Sequence, residues 1–264
     1  MKIKPVILCG GAGTRLWPNT KKHQAKQFID FGGWTLLGKT FERIKNSQFD
    51  YPIISTNLKY LKEIKKHLKK YDIKKYNIIL EPTKKNTGPA ILSAALINSG
   101  PKNQPMLILS ADQLIEKRNK LNKELKKNMK FLTNSNIFIF GIKPNLPSDQ
   151  FGYFVTKKRK NLNKVYKFEE KPQKSKAKKI IKKGGYWNSG IFFLRKDSII
   201  NNFKRYQKNI YQNSLLAINK SIKKNNLFYL NKKAYQKNLS KSFDYAILEK
   251  AKEIYAIKLN IPWS

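Results

Sequence analysis

Residues 5–18, Pro-Val-Ile-Leu-Cys-Gly-Gly-Ala-Gly-Thr-Arg-Leu-Trp-Pro, carry the spacing in this chain that most directly suggests chemistry. An apolar run of strand type, Val6–Cys9, empties into Gly10-Gly11-Ala12-Gly13-Thr14 and then Arg15. Glycines in such a turn let successive backbone N–H groups face one point and let a ligand approach without meeting a Cβ. Arg15 adds a forked cation matched to phosphate oxygens. These residues suit the handling of a nucleoside polyphosphate. Two common phosphate motifs do not follow this strand. The dinucleotide fingerprint lacks its third glycine, because Gly11-Ala12-Gly13 leads into Thr14, Arg15 and Leu16, and no Gly-Lys-Ser/Thr ends the turn. Many strand-to-helix connections are glycine-rich for steric reasons alone, so the remaining segments must decide.

The elements that would hold these residues can be read from hydrophobic spacing. Apolar runs of strand length are Val6–Cys9, Ile53–Ser55, Ile78–Leu80, Met106–Leu109, Ile137–Phe140 and Ile191–Leu194. Between them, Leu36–Lys45, Tyr60–Lys70, Pro89–Asn98 and Lys120–Phe131 have helical periodicity. The alternation predicts βαβ units and a Rossmann-like α/β fold, with a mixed, mainly parallel sheet flanked by helices. Gly152–Thr156 and Lys164–Phe168 predict an antiparallel pair, and Lys174–Lys183 a basic helix stopped by Gly184-Gly185. Lys196–Lys224 predicts helix with breaks, Ser242–Lys252 a further helix, and Ile254–Leu259 a last strand. No internal repeat or dividing linker is visible, so one domain over residues 1–264 is expected.

Composition narrows the function classes. A chain of 264 residues with 40% hydrophobic content, 13 Tyr, 15 Phe and 4 Trp can bury a full core. No apolar stretch approaches the ~18 residues that would span a bilayer. Residues 1–18 lack the layout of a signal peptide, so no membrane partner is expected. The single cysteine, Cys9, excludes an internal disulfide framework and fits a reducing cytoplasm. A net charge of +40 would suit a nucleic-acid binder. Yet the basic residues run along the whole length and are overwhelmingly Lys, with abundant Asn and Ile, a bias expected of an AT-rich genome. RNA-binding aromatic signatures, zinc-finger spacings and basic heptads are missing, so no specific nucleic-acid partner is expected.

Further segments follow in order. They are Ala25-Lys26-Gln27-Phe28, Glu81-Pro82, Lys85-Asn86-Thr87-Gly88-Pro89-Ala90, Ser110-Ala111-Asp112-Gln113, Phe151-Gly152-Tyr153, Glu169-Glu170-Lys171-Pro172, Trp187-Asn188-Ser189-Gly190 and Phe243-Asp244-Tyr245-Ala246. With Gly10–Pro18 they resemble the nucleotidyltransferase domain of mannose-1-phosphate guanylyltransferases (GDP-mannose pyrophosphorylases) over nearly the whole chain. That family is a sugar nucleotidyltransferase with a glycosyltransferase-A-like fold. The sequence departs from the family pattern at Ala25, where proline is usual, and at Lys85, where arginine is usual. Ser110-Ala111-Asp112-Gln113 keeps only Ala111 and Asp112 of Pro-Ala-Asp-His.

The resemblance implies that mannose 1-phosphate and GTP give GDP-mannose and pyrophosphate, by in-line attack of the sugar phosphate on the α-phosphorus with Mg²⁺ as cofactor. It implies a nucleotide-binding half over roughly residues 1–142 and a sugar-phosphate half over roughly 143–264. Arg15, Lys26 and Asp112 are the implied catalytic residues, with Asp112 also the metal ligand. Gly10, Gly11, Ala12, Gly13, Thr14, Glu81, Asn86 and Thr87 are implied in nucleotide binding. Glu81 and Asn86-Thr87 read equally as a strand end followed by a helix cap. Asp112 closes the run Met106–Ala111, at the strand edge where ligands gather in open α/β sheets. Gly152, Tyr153, Glu170, Lys171 and Asn188 are implied on the sugar-phosphate side, while Asp244 and Tyr245 read as either cap or sugar contact. The implied partners are GTP and mannose 1-phosphate, with a homo-oligomer left open. In the family an aspartate sharing the metal follows Trp-Ser, whereas this sequence stops at Trp263-Ser264, which predicts either a truncated chain of reduced activity or one that works with a single protein carboxylate on the metal. Three alternatives stay open: another sugar-1-phosphate nucleotidyltransferase, a nucleotide-binding fragment with little or no activity, and a basic nucleic-acid-binding protein, supported only by the net charge of +40 and opposed by the even spread of lysines.

Overall fold

Lys4–Leu8 (β1), Ile53–Asn57 (β2), Asn77–Glu81 (β3) and Pro105–Ser110 (β4) are short, mostly apolar runs with almost every residue buried. That is the composition of strands covered on both faces. In the computed structural model, which describes residues 1–11 and 25–263, they pair in parallel in the order β4–β1–β2–β3. The register brings their C-terminal ends level. Leu8 lies opposite Ser55 and Ser110, and Asn57 opposite Glu81. Everything that follows these residues therefore opens onto one edge of the sheet.

Helices cover both faces. Leu36–Ile44 (α1), Leu61–Lys70 (α2) and Arg118–Asn128 (α4) are amphipathic and contribute Leu37, Phe41, Ile64, Leu68, Leu121 and Leu125 to one core. On the other face lies Thr87–Ile97 (α3), whose sequence TGPAILSAALI has no polar side. A helix apolar all round must be covered all round. Lys196–Tyr206 (α6) and Lys208–Asn219 (α7) pack over it, and Ile91, Leu92, Ala94 and Ala95 are fully buried.

The later strands are largely antiparallel. Ile137–Ile142 (β5), Tyr153–Arg159 (β6), Leu162–Glu169 (β7), Tyr186–Arg195 (β8) and Ile254–Leu259 (β11) close a ring through the pairs β5–β11, β11–β7, β7–β6, β6–β8 and β8–β5. β8 also pairs with β4 and so fuses the ring to the parallel strands. Closing a ring removes a free edge. Ile222–Lys224 (β9) and Leu227–Tyr229 (β10) finish the other end of the sheet, with β10 parallel to β3. The outermost strand, Ile-Lys-Lys, is exposed throughout, a short charged edge that discourages pairing with another chain.

The expected α/β class and flanking helices hold. Parallel pairing belongs to the first half, β10 and the β5–β11 pair. Lys174–Lys182 (α5) ends where predicted, with Gly184 at φ 74° donating to the Ile181 carbonyl and Gly185 to that of Ile180. Three expectations differ. The stretch 196–224 is two helices and then a strand. Lys232–Gln236 (α8) was not expected, and 242–252 contributes only a π-helical turn, Asp244–Leu248. No helix among the described residues is long and apolar enough to cross a membrane.

Candidate active site

At the C-terminal edge of the parallel strands lies a cavity of about 370 Å³, lined by Gly10, Gly11, Ser55, Asn57, Glu81, Asn86, Thr87 and Ser110, with Lys84 and Lys85 on one wall. Of the nucleotide-binding residues expected from the sequence, it gathers Gly10, Gly11, Glu81, Asn86 and Thr87. Ala12, Gly13, Thr14 and Arg15 lie outside the described residues. Among the described residues, a Cβ at Gly11 would touch nothing within 4 Å, and one at Gly10 would come within 3.9 Å of only Glu81 Oε1. Side chains there would occupy the cavity itself. The glycines leave that space open.

Glu81 ends β3 and is 9% exposed. Its Oε1 accepts from Ser55 Oγ at 2.8 Å and its Oε2 from Tyr235 OH at 2.7 Å, while its carbonyl accepts from Asn57 Nδ2 at 3.0 Å. Burial pushes its carboxyl above the usual range, and the Tyr235 and Ser55 hydrogen bonds oppose that rise. Asn86 caps α3 with its side chain accepting from Thr87 N. It does so at φ 67° and ψ −174°, a conformation used almost only by glycine and costing about 1–3 kcal/mol. Such strain persists where surrounding structure enforces it, and here it sits on a cavity wall.

Asp112 follows β4 by two residues and accepts a hydrogen bond from Ser110 Oγ. The next residue, Gln113, donates from Nε2 to the Ser189 carbonyl at 2.6 Å and accepts at its own carbonyl from Arg43 Nη2 at 3.3 Å. Arg43 is a buried cation whose Nε and Nη1 find no partner among the described residues, and burial lowers it to about 10. Lys26 begins a 3₁₀ turn, Lys26–Phe28, and does not line the cavity. Its neighbour Gln27 reaches the loop instead, donating to the Gly11 carbonyl at 3.3 Å.

The residues expected on the sugar-phosphate side form a second cluster. Asn188 N donates to the Gly152 carbonyl at 2.8 Å, and Asn188 Nδ2 to Asp244 Oδ1 at 2.7 Å. A Cβ at Gly152 would run into the Glu170 carboxylate. Lys171 holds φ 48° and places its Nζ 3.9 Å from Glu170 Oε1. Tyr153 is fully buried. Its hydroxyl accepts from Ser148 N and donates to the Ser148 carbonyl, so its phenol braces a loop and does not face the site. The two clusters are stitched together at α3. Thr87 Oγ1 accepts from Phe243 N at 2.8 Å, and Gly88 N donates to the Lys241 carbonyl at 3.0 Å.

Glu170 gives a pH prediction. Burial first, then the neighbouring Asp244 and Glu249, raise it from 4.5 to about 7, with Lys171 partly opposing. The folded chain therefore binds an extra proton between those values, so stability falls as pH rises from about 4.5 to about 7 and then levels. Glu170→Gln is expected to flatten that slope in melting curves from pH 5 to 8. At pH 8 it should raise Tm by about 2–4 °C for each kcal/mol regained. An unchanged slope would show that Glu170 ionises normally.

Sequence reading missed Ser55, Tyr235 and Gln27. The first two lie on a plain strand and on a helix of five residues. It also passed over Gly33-Trp34-Thr35-Leu36-Leu37-Gly38-Lys39-Thr40, which has P-loop spacing. Here Thr35 caps α1 and accepts from Gly38 N at 3.0 Å, while Thr40 Oγ1 donates to the Leu36 carbonyl. The segment is a helix start packed into the core, not a phosphate loop.

Residues 4–236 match the nucleotidyl transferase family model. The chain belongs to the nucleotidyl transferase family. Its curated relatives include the alginate biosynthesis protein AlgA of Pseudomonas putida, 30% identical over 98% of this chain and 55% of that protein. The mannose-1-phosphate guanylyltransferase of Salmonella montevideo is 31% identical over 99% of this chain and 57% of its own length. The chain thus spans little more than half the length of these relatives. Among solved structures, a Helicobacter pylori protein described as mannose-6-phosphate isomerase is 26% identical, with a TM-score of 0.86 and full coverage of both chains. A Thermus thermophilus protein described as mannose-1-phosphate geranyltransferase has a TM-score of 0.84 at 23% identity, covering all of this chain and 76% of the other. That likeness speaks to the fold alone.

Proposed function

We propose that this nucleotidyl transferase chain is the catalytic module of a mannose-1-phosphate guanylyltransferase, acting as one domain in the cytoplasm. GTP would lie in the cavity at the strand ends, with its guanine at Glu81 and its phosphates over Gly10 and Gly11. Guanine offers two adjacent donors, N1–H and the 2-amino group, and an ionised carboxylate offers only acceptors. Mannose 1-phosphate would occupy the cluster of Gly152, Glu170, Lys171 and Asn188. A mannose phosphate oxygen bonds to the α-phosphorus, the bond from that phosphorus to the bridging oxygen breaks, and pyrophosphate leaves. No covalent enzyme intermediate is needed, so the work is positioning, worth about 7–11 kcal/mol, and charge neutralisation.

The observation that carries this reading is the stitching of the two clusters. Thr87 and Gly88 hold the 241–243 segment, and Gln113 holds Ser189, so both polyanions would meet beside Asp112. Lys171 would hold the sugar phosphate and Lys26 and Arg15 the triphosphate. Among the described residues no three His, Cys, Asp or Glu side chains cluster to hold a metal. Mg²⁺ typically takes one or two carboxylates plus substrate phosphates, and Asp112 fits the first requirement. When bound, the ion would neutralise charge on the phosphates. Pyrophosphate release from this chain should require GTP, mannose 1-phosphate and Mg²⁺ together. Release with glucose 1-phosphate or ATP at the same rate would overturn the substrate assignment.

A further inference from the structure

We infer that Tyr235, together with Ser55, positions Glu81 and so sets the choice of guanine. The inference rests on the proposed placement of the base at Glu81. Tyr235 stands on α8, 154 residues from Glu81 in sequence, yet its hydroxyl donates to Glu81 Oε2 at 2.7 Å in a fully buried bond. Ser55 Oγ donates to the other oxygen at 2.8 Å. Each carboxylate oxygen has two acceptor sites, so one on each is taken and one on each is left for a ligand. Two donors bonding separate oxygens also fix the rotation of the carboxylate plane. A pair of parallel acceptors is thereby held beside the cavity, as recognition of two adjacent donors requires.

The charge state follows from the same contacts. Lys84 and Lys85 line the cavity wall, but among the described residues neither makes an ion pair with Glu81. The buried carboxylate is therefore held by neutral donors, and removing one raises its pKa further. Tyr235 itself is kept protonated, because burial and the nearby Glu81 push it well above 10. It remains a donor at every working pH. Its anchor is α8, whose cap Asn231 accepts from Ala234 N and donates its backbone N–H to the Ala217 carbonyl of α7. The helix that carries the tyrosine is thus tied to the layer that covers α3.

The test is equilibrium binding of GTP, ITP and ATP to the full chain from pH 5.5 to 8.5, for the native protein and for Tyr235→Phe, Ser55→Ala and Glu81→Gln. Phenylalanine keeps the ring packing and removes only the donor. Tyr235→Phe is expected to weaken GTP about tenfold and leave ATP unchanged. It should also move the acid midpoint of GTP binding to higher pH. Ser55→Ala should shift the midpoint in the same direction, and it carries the test alone if the phenylalanine variant does not fold. ITP, which lacks the 2-amino group, should lose less than GTP in both variants. If Glu81→Gln alters the GTP to ATP ratio and Tyr235→Phe and Ser55→Ala do not, the hydroxyls merely pack and the inference fails. If Glu81→Gln leaves that ratio unchanged as well, Glu81 does not read the base, and that part of the proposed function fails with it.

Discussion

Asp112→Ala is expected to cut pyrophosphate release from GTP and mannose 1-phosphate by about 10²–10³-fold, the usual cost of deleting one preorganised electrostatic group. The fold should barely notice. Asp112 is half-buried, lies outside any strand or helix, and its one described side-chain hydrogen bond is from the Ser110 hydroxyl, which can turn to water. GTP binding without metal should be unchanged, because the cavity wall at β4 is Ser110. The measurement is therefore paired: single-turnover release with saturating substrates, and GTP affinity in chelator. A large loss of release with constant metal-free affinity places Asp112 on the reacting phosphates. Full activity in the variant would remove Asp112 from the chemistry and leave it as a turn residue. Ser110→Ala is the internal control, since it keeps the carboxylate and deletes only its neighbour.

How much of this was legible beforehand depends on what kind of signal each residue gives. The parallel strands could be read because strands buried on both faces are apolar throughout, as in Pro105-Met-Leu-Ile-Leu-Ser110. Once their ends were located, Asp112 fell by topology on the edge where ligands gather in open α/β sheets, whereas Glu81 stood out only through the family resemblance. β9 and β10 gave no such signal. Ile222-Lys-Lys224 is exposed and polar, and Leu227–Tyr229 is only three residues long, so neither has a period to detect. Tyr235 was illegible for another reason. Its role exists only through a contact spanning 154 residues, and nothing around it in sequence marks it out from other buried tyrosines. The Gly38-Lys39-Thr40 triplet shows the reverse case. Its spacing fits a motif, but among the described residues no strand runs directly into it and the helix that contains it, α1, buries Gly38 and Thr40, so the context needed for phosphate binding is missing. The segments expected on the sugar-phosphate side could be read as segments and not as geometry. Gly152, Glu170 and Asn188 meet because β6, β7 and β8 pair, and Tyr153, adjacent to Gly152, points into the core instead.

Glu81→Gln should change which nucleotide is used, and by more than any other single substitution in the cavity. The exchange preserves shape and both approaching hydroxyls still have a partner, because the amide oxygen accepts and Ser55 or Tyr235 can accept from the amide nitrogen. What changes is the face left for the base. A carboxylate presents two acceptors, whereas the amide presents one acceptor and one donor. Guanine then meets its own donor with a donor, in a buried site where an unpaired polar group costs about 1–3 kcal/mol and the lost charge-assisted bond a similar amount again. The two together, about 2–6 kcal/mol, correspond to a fall of about 30-fold to 10⁴-fold in kcat/KM for GTP. UTP, whose N3–H lies beside a carbonyl, matches an amide and should gain relative to GTP. The neutral side chain also removes a raised carboxyl from a buried site, so thermal stability at pH 8 should hold or rise while GTP use collapses. Loss of stability together with loss of all nucleotides would mark Glu81 as a structural acid. Loss of GTP with gain of UTP, in a chain at least as stable as before, is the signature of a base reader, and the two outcomes separate in one set of kinetic and melting curves.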